Sequence, residues 1–336
     1  MRIVDEHYDE AFYTSEVFER YFGDARLAVF DIETSGLSPA RSKIVIGGAL
    51  TPDVGGCRLR QFFSEGAHEE RDLLALYADV LNGADVVFSY NGDAFDIPFV
   101  NARLRERRME AAFAGCLSID LYKVARNFTG LRGKLPNLKQ KSVEDYLGLW
   151  KNRTDRISGA DSVSLYYEYL AAPTPDLLRR LLLHNSDDVR QLTRLLRLLD
   201  EADMHAVAFH MGFPVSHGDA LLIVEGARLK GNALEAWGRC LRSSRPLLEH
   251  SLYGEAFQAF FREADGSFAL KLPCVGANGL VAADLDGLGL EHPRLEDGAA
   301  ASDGFLTLKH RSWLNYEKAN LLVGLALKKT LDLMWR

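Results

Sequence analysis

The sequence is 336 residues long, with 47% hydrophobic and 26% charged residues, an ordinary composition for a globular protein with a full hydrophobic core. It has no uninterrupted apolar run of about eighteen residues, so no membrane span is expected, and its acidic first segment lacks the apolar stretch of a secretory signal. The formal net charge of −7 argues against a protein that coats nucleic acid without specificity.

The cysteines are few and widely spaced, at Cys57, Cys116, Cys240 and Cys274. A disulfide framework or a zinc site would need closer and patterned spacing. We therefore expect reduced, mostly buried thiols in a cytoplasmic protein. No sequence pattern specifies an oligomeric state.

Positive charge is concentrated in one segment, Asn101–Arg156, which has 13 Lys or Arg residues against 6 Asp or Glu residues. A basic segment in an acidic chain fits a phosphate-binding groove. It fits a solvated face of surface helices equally well. The candidates for a track of phosphate contacts are Arg126, Arg132, Lys134, Lys139 and Lys141.

The first part of the sequence predicts a three-strand meander, a helix, and then a buried strand. β-branched and aromatic residues predict strands over Leu27–Glu33, Ile44–Leu50, Arg58–Phe63 and Val86–Ser89. Apolar residues at helical spacing predict helices over His68–Asn82, with Gly83 as C-cap, and over Phe95–Arg108.

From Ser118 onward the pattern is mainly helical, with the best helices over Ser142–Leu147, Ser162–Leu170 and Asp176–Leu199. After about residue 207, glycine-rich turns separate short apolar segments such as Phe268–Leu272 and Leu280–Ala282, and a final amphipathic helix covers 316–334. This order predicts an α/β fold, a mixed β-sheet with flanking helices. A smaller α+β C-terminal region follows it.

Asp31 and Glu33 end the first predicted strand. Residues two apart in a strand face the same side, so both carboxylates point together while Ile32 points away. Two like charges held side by side repel each other unless a cation lies between them. Hard oxygen ligands of this kind suit Mg²⁺ or Mn²⁺. An exposed strand end that happens to carry both acids is the alternative.

Asp96 follows the buried strand that ends near Tyr90. A turn at this point places the next helix start at the edge of the sheet where the active sites of α/β folds collect. Simple N-capping of that helix, with Pro98 in its first turn, explains Asp96 as well. Asp93 is the nearest competitor for a role as ligand.

A third group of polar residues, Leu183–Val189, interrupts the apolar stripe of a long predicted helix. His184 and Asp188 are four positions apart, so they share one face. Asp187 lies about 100° away around the helix and should face elsewhere. An ordinary pair on a surface helix is the alternative.

The segments DIETSGLSP, NGDAFDIPF and HNSDDV together resemble, in order and residue type, the three exonuclease motifs of the DEDD superfamily, which has a ribonuclease H-like fold. The resemblance is closest to the YprB-like branch of bacterial ribonuclease H-like proteins. Gln61-Phe62-Phe63, Glu69-Glu70 and the stretch 143–149 are also similar to that branch. The resemblance covers about residues 27–200, and residues 210–336 have no comparable match.

This resemblance implies a metal-dependent 3′–5′ exonuclease that hydrolyses single-stranded DNA or RNA. Asp31, Glu33, Asp96 and Asp188 would hold two divalent cations, Mg²⁺ or Mn²⁺, about 4 Å apart. Asp31 would bridge both cations, Glu33 and Asp188 would bind the one on the nucleophile side, and Asp96 the other. The implied division is an N-terminal extension (1–25), an exonuclease domain (26–205) and a C-terminal region of unknown role (206–336).

His184 departs from the pattern of the family. The YprB-like branch usually has Tyr four residues before the last Asp, where this sequence has His184. The histidine-type branch has its His five residues before that Asp, where this sequence has Leu183. A histidine with a pKa of about 6.5 is a competent general base at neutral pH, and we predict this role for His184. A packed or metal-orienting side chain is the alternative.

Substrate contacts are predicted at Thr34 and Gly36, in the turn after the first strand, and at Asn91 and Phe95, by hydrogen bonding and base stacking. Two other functions remain open. One is a catalytically silent nucleic-acid-binding protein that retains the nuclease fold. The other is a structure-selective endonuclease, since the same carboxylates can serve internal cleavage.

Overall fold

The computed structural model describes residues 1–66, 68–149, 157, 159–247, 250–252, 256–296, 301–302 and 304–336. The chain forms two compact units, one of Met1–Glu16 and Ala25–Ala202 and the other of Val17–Asp24 and Asp203–Arg336. The predicted boundary of the N-terminal extension 1–25 stays a prediction. Its first strand belongs to the sheet of the first unit, and Val17–Asp24 belongs to the second unit.

A six-stranded mixed sheet, with strand order β1-β4-β3-β2-β5-β6, forms the centre of the first unit. Its strands are β1 (Arg2–Tyr8), β2 (Leu27–Thr34), β3 (Ile44–Asp53), β4 (Gly56–Phe63), β5 (Val86–Ser89) and β6 (Leu117–Asp120). β2, β3 and β4 form the predicted antiparallel meander, whereas β5 pairs parallel with β2 and β6 pairs parallel with β5. The predicted α/β class is confirmed.

The helices of the first half of the chain begin with α1 (Glu16–Phe22), most of which belongs to the second unit. The first unit contains α2 (Glu70–Asn82), α3 (Asp96–Glu106), α4 (Leu121–Asn127), α5 (Leu131–Lys134), α6 (Gln140–Tyr146), α7 (Gly159–Ala171), α8 (Pro175–Leu195) and a 3₁₀ helix (Leu196–Glu201). Gly83 follows α2 as predicted, but its φ of −70° is right-handed, so the left-handed cap that favours glycine is not formed.

Two hydrophobic clusters lie on the two sides of this sheet. The first joins Phe30 and Ile32 of β2 to residues of α2 and α3. The second joins Ile46 and Phe63 to residues of α7 and α8. Because side chains alternate along a strand, the odd-numbered residues at the end of β2 face the side of α7 and α8. That is the side on which Asp31 and Glu33 lie.

Strand β6 was not predicted, since the sequence from Ser118 onward was interpreted as mainly helical. Its four residues, Leu117–Asp120, are too short to show a period of two. The strand exists because it pairs along its whole length with the buried strand β5. Tertiary pairing of this kind overrides a weak local pattern.

The second unit contains two antiparallel sheets, with strand orders β10-β11-β12-β9-β8-β7 and β13-β14-β16-β15, and β17 pairs with β16. The strands of the first sheet are β7 (Phe213–His217), β8 (Ala220–Lys230), β9 (Ala233–Arg242), β10 (His250–Leu252), β11 (Gln258–Phe261) and β12 (Ser267–Pro273). Those of the second are β13 (Val275–Ala277), β14 (Leu280–Asp284), β15 (Ala301–Ser302), β16 (Phe305–His310) and β17 (Trp313–Leu314).

The helices of the second unit that follow α1 are α9 (Met204–Met211), α10 (Leu285–Leu288), α11 (Pro293–Glu296) and α12 (Tyr316–Met334). The predicted α+β character of this region is confirmed. Cys57, Cys116 and Cys274 are buried and Cys240 is half-buried, all as free thiols. No helix among the described residues has the length and apolar character needed to cross a membrane.

A polar network inside the second unit centres on His205. The hydroxyl of Tyr21 lies 2.7 Å from Nδ1 of His205, and it accepts a hydrogen bond of 2.9 Å from Nδ2 of Asn320. The tyrosine proton is thus available to Nδ1, which must be unprotonated to accept it. Burial lowers the pKa of His205 below its ordinary 6.5.

The free energy of unfolding of the second unit is expected to decrease on acidification because of His205. Its pKa is lower in the folded than in the unfolded state, so the unfolded chain takes up the proton first as the pH falls below about 6.5. Above that pH the residue has no effect. Urea unfolding followed by tryptophan fluorescence should show this pH dependence, and His205→Gln should reduce it. The same change at the exposed His310 should leave the dependence as in the wild type, and an equal effect of both variants would contradict the assignment.

Candidate metal centre

The end of β2 carries the first two acidic side chains. Asp31 pairs with Gly48 of β3, and the register of the two strands shifts after Glu33, a bulge of the kind often found beside active sites. A Cβ on Gly48 would lie 2.2 Å from Oδ1 of Asn185 and 2.9 Å from Cγ2 of Val189. Glycine at this position therefore allows α8 to approach the sheet beside Asp31.

Asp96 is the first residue of α3 and its carboxylate is directed to β2. Its Oδ1 accepts a hydrogen bond of 3.3 Å from the backbone nitrogen of Ile32, which lies between Asp31 and Glu33. The N-cap position belongs to Phe95, whose side chain cannot accept a hydrogen bond. The alternative interpretation of Asp96 as a simple capping residue is therefore wrong.

Asp93, the competitor for the ligand role, faces away from this cluster. Its carboxylate accepts a hydrogen bond of 2.6 Å from Ser118 and pairs with Lys123. The turn before α3 is held by Asp120, whose carboxylate accepts a hydrogen bond of 2.7 Å from the backbone nitrogen of Asn91. Asn91 has a left-handed φ of 64°, which asparagine tolerates better than most residues.

Helix α8 brings His184 and Asp188 close to Glu33. Nε2 of His184 lies 3.3 Å from Oε1 of Glu33 and 3.6 Å from Oδ2 of Asp188. The possible ligand atoms of these three residues all lie within 4.8 Å of one another. Asp187 lies elsewhere, where its charge acts on Arg194. The prediction that His184 and Asp188 share a face and Asp187 does not is confirmed.

Asp31 is held by neighbours that sequence reasoning did not assign to the site. Nδ2 of Asn185 donates a hydrogen bond of 3.1 Å to Oδ2 of Asp31. Nε2 of Gln61 donates 2.9 Å to Oδ1 of Asn185, which fixes the orientation of that amide. The hydroxyl of Tyr77 donates 3.1 Å to the backbone carbonyl of Asp31. On the other side of the cluster, the hydroxyl of Ser162 donates to Glu33.

A family model described as the RNase_H superfamily matches residues 28–200. The chain belongs to this superfamily. We refer to Met1–Glu16 and Ala25–Ala202 below as the ribonuclease H-like unit, which has the mixed sheet and flanking helices predicted for it.

One curated relative is the uncharacterized protein YprB of Bacillus subtilis (strain 168), which is 28% identical over 194 residues. The match covers 50% of this chain and 40% of that protein, so it spans less than half the length of the relative. A solved family B DNA polymerase from the archaeon Pyrobaculum calidifontis is 20% identical, with a TM-score of 0.42 over 52% of this chain and 24% of that chain. Exonuclease I is 13% identical, with a TM-score of 0.36 over 60% of this chain and 55% of that chain.

Burial and crowding of like charges raise the pKa values of three carboxyl groups of this cluster, those of Asp31, Glu33 and Asp96. Burial raises the pKa of Glu33 and of Asp96 to about 7. The pKa of Asp31 is raised well above its ordinary value, first by burial and then by the charges of Asp96, Asp188 and Glu33. Without a counter-ion, this cluster therefore retains protons near neutral pH.

The donor set fits hard divalent cations. Glu33, His184 and Asp188 offer ligand atoms within 4.8 Å of one another, and Asp31 and Asp96 lie near enough for their charges to act on the same cluster. Carboxylate oxygens suit Mg²⁺ and Mn²⁺, and a bound cation would favour the ionised form of each acid. The residues present thus fit a divalent metal centre.

The four residues predicted to contact substrate differ in how accessible their side chains are. The Thr34 hydroxyl donates 2.9 Å to the carbonyl of Gly36, so its donor is used within the turn. The side chain of Asn91 is exposed. Phe95 is half-buried, with its ring centroid 5.6 Å from that of Phe99, so only part of its ring can meet a base. The roles of these four residues stay predictions.

The basic segment is largely on the surface of the ribonuclease H-like unit. Arg126, Arg132, Lys134 and Lys139 are exposed, whereas Lys141 is half-buried and donates 3.2 Å to the carbonyl of Ile157. The end of the segment, residues 150–156, lies outside the described residues. The predicted phosphate track remains a prediction for the four exposed side chains.

Proposed function

We propose that the ribonuclease H-like unit hydrolyses phosphodiester bonds of single-stranded DNA or RNA from the 3′ end. Two divalent cations, Mg²⁺ or Mn²⁺, would be held by Asp31, Glu33, Asp96 and Asp188. The observation that carries this proposal is the meeting of four carboxylates from β2, α3 and α8. Burying several like charges together costs stability, so packing alone does not account for the arrangement.

The acidic cluster has two parts, one with Glu33 and Asp188 and the other with Asp31 and Asp96. This arrangement supports the predicted positions of the two cations. Glu33 and Asp188 both lie close to Nε2 of His184, at 3.3 Å and 3.6 Å. Among the neighbouring charges, that of Asp96 acts most strongly on Asp31. Bound cations would lower the pKa of water and stabilise the charge that develops on the phosphate and on the leaving oxygen.

His184 is the proposed general base. Nε2 must be unprotonated to accept the proton of the attacking water, and it lies close to Oε1 of Glu33 and Oδ2 of Asp188, so this nitrogen faces the cluster. Asn185 and Tyr77 act as positioning residues, because they hold the side chain and the backbone of Asp31 respectively. A site needs such fixed geometry for an in-line attack.

The test is incubation of a 5′-labelled single strand with the full chain and Mn²⁺, with products resolved on a denaturing gel. We expect a ladder that shortens by single nucleotides. Asp96→Asn should lower the rate by about 10²-fold or more, because charge stabilisation at such sites contributes several kcal/mol. Asp93→Asn is the matched control, three residues away and directed to Ser118 and Lys123, and should retain most of the rate.

Three outcomes would overturn or redirect the proposal. Binding of the strand with no Mn²⁺-dependent product would favour the silent nucleic-acid-binding protein. A single discrete internal cut would favour the structure-selective endonuclease. Equal rates for the Asp96→Asn and Asp93→Asn variants would place the reaction somewhere other than this cluster.

A further inference from the structure

Strands β9 and β12 of the second unit have one covered face and one open face. Leu234, Ala236, Leu270 and Leu272 are buried on the covered face. The residues that alternate with them point the other way, and Trp237, Ala269 and Lys271 among these are exposed. An antiparallel sheet commonly has one solvated face, which is then polar. This one has an indole near its middle that is 41% exposed.

The indole of Trp237 lies against the sheet. Its cross-strand partners are Gly226 on β8 and Ala269 on β12. A Cβ on Gly226 would lie 2.5 Å from Cζ2 and 2.9 Å from Cε2 of the ring, so the ring occupies the space above the glycine. With a small residue on each side, one face of the indole is supported while the tryptophan remains open to solvent.

A second aromatic ring belongs to the same row. Phe260 on β11 pairs with Ala269, so Trp237, Ala269 and Phe260 follow one another across three strands. Neighbouring strands are about 4.8 Å apart, which puts the two aromatic positions roughly 10 Å apart. Phe260 is half-buried and the alanine between the two rings is exposed, so a small side chain separates two accessible aromatic positions.

Positive side chains surround this row, which we call the Trp237 platform (Trp237, Ala269 and Phe260). The guanidinium carbon of Arg228 lies 5.6 Å from the centroid of the indole. Lys271 is exposed on β12 beside Ala269. The cations on this face are Arg228, Lys230, Arg239 and Lys271.

Acidic side chains offset part of this charge. Glu235 pairs with Arg228 at 2.7 Å and Glu225 pairs with Arg239 at 3.0 Å. The cations named above still outnumber these two carboxylates, in a chain whose formal net charge is −7. Local positive charge in an acidic chain favours an anionic ligand on this face.

We propose that the Trp237 platform binds single-stranded nucleic acid, with bases stacked on Trp237 and Phe260 and phosphates near Arg228, Arg239 and Lys271. Single strands are bound by aromatic side chains with basic groups along the backbone, often on the open face of a sheet. A duplex keeps its bases stacked on one another and could not use the aromatic rings in this way. The inference rests on the proposed function, because it takes nucleic acid as the substrate.

The test measures the affinity of the full chain for a fluorescein-labelled oligothymidylate by fluorescence anisotropy in EDTA, where hydrolysis does not interfere. Trp237→Ala should raise Kd by about tenfold, the effect expected for the loss of one base–aromatic stack. Trp237→Phe should restore much of the affinity. Trp313→Ala is the matched control, since Trp313 is 53% exposed in the other sheet of the same unit, and it should leave Kd unchanged.

A second variant protects the test against loss of folding. Lys271→Gln changes an exposed side chain at the sheet surface, so the fold should be retained. If Lys271 contacts one phosphate, the slope of log Kd against log salt should decrease by about 0.7. Wild-type affinity and salt dependence in the variants at both Trp237 and Lys271 would overturn the inference, as would the absence of oligonucleotide binding by the wild type.

Hydrolysis of a single-nucleotide substrate, thymidine 5′-(p-nitrophenyl phosphate), separates this inference from the proposed function. A substrate of one nucleotide cannot occupy two sites at once, so Trp237→Ala should leave its Mn²⁺-dependent hydrolysis unchanged. If the wild type hydrolyses neither substrate but binds the oligonucleotide in a Trp237-dependent manner, the proposed function alone fails. If the wild type hydrolyses both the oligonucleotide and the thymidine ester, and Trp237→Ala binds the oligonucleotide with the wild-type Kd, this inference alone fails.

Discussion

Asp31→Asn is expected to lower the rate of Mn²⁺-dependent hydrolysis by about 10³-fold, because stabilisation through the cations is worth several kcal/mol in the transition state. The pKa of Asp31 is raised first by burial and then by the charges of Asp96, Asp188 and Glu33, so its carboxylate lies near both parts of the cluster. Asparagine has the same shape and can still accept the hydrogen bond from Asn185. The fold should therefore survive the change.

The same variant should lose activity without losing thermal stability. In EDTA, the variant removes a carboxyl group whose ionised form is disfavoured by burial and by the neighbouring acids, so the Tm of Asp31→Asn should equal or exceed that of the wild type. Addition of Mn²⁺ should raise the Tm of the wild type and have much less effect on the variant. Differential scanning fluorimetry with and without Mn²⁺ measures both. The control is Asp53→Asn, at the far end of β3, which should keep the wild-type rate and the wild-type response to Mn²⁺. A Tm of Asp31→Asn in EDTA that is lower than that of the wild type would contradict this account, because the lower rate could then result from loss of folding.

The parts of the site that were predicted from the sequence are those with a strong local signal. Two acids two residues apart at the end of an apolar strand must face the same side, and β2 places Asp31 and Glu33 in this way. His184 and Asp188 interrupt an apolar helical stripe at a spacing of four, which fixes their shared face. A short run such as Val86–Ser89 is also recognisable, because a parallel strand that is buried on both faces is mostly apolar.

The parts that were missed depend on long-range packing. Asn185 was noticed only as one polar residue among several in α8. Its bond to Asp31 requires α8 to lie close against β3, which depends on the missing side chain of Gly48. Ser162 lies in a different helix from the other residues of the cluster and carries no local sign of its contact with Glu33. Strand β1 was assigned to a terminal extension because its partner is β4, about fifty residues away along the chain.

Glu70 is one residue of the resemblance for which the structure gives a physical reason. It is the first residue of α2, and its carboxylate is 1% exposed. Nη2 of Arg103 lies 2.6 Å from it and Nη2 of Arg107 lies 2.7 Å from it. It also accepts a hydrogen bond of 3.1 Å from the backbone nitrogen of Ile44. Ile44 pairs with Thr34 after the bulge in β2. One carboxylate thus connects α2, α3 and the strand beside the acidic cluster.

Glu70→Ala is therefore expected to lower the free energy of unfolding of the ribonuclease H-like unit by about 3–5 kcal/mol. The side chain of Arg103 is only 3% exposed, so the variant leaves a buried guanidinium without its main counter-charge. Because α3 begins at Asp96, loosening of this contact should also weaken the response of Tm to Mn²⁺. Urea denaturation followed by circular dichroism measures the loss of stability.

The control for Glu70 is Glu106→Ala, which removes the other carboxylate that pairs with Arg103. Glu106 is 52% exposed, and an exposed ion pair contributes less than about 1 kcal/mol. A double variant, Glu70→Met with Arg103→Met, should be less destabilised than Glu70→Ala, because it leaves no uncompensated charge on Arg103. If Glu70→Ala costs no more than Glu106→Ala, the carboxylate of Glu70 does not hold α2 to α3. In that case the position of Asp96 would have to depend on the hydrophobic contacts of α3 alone.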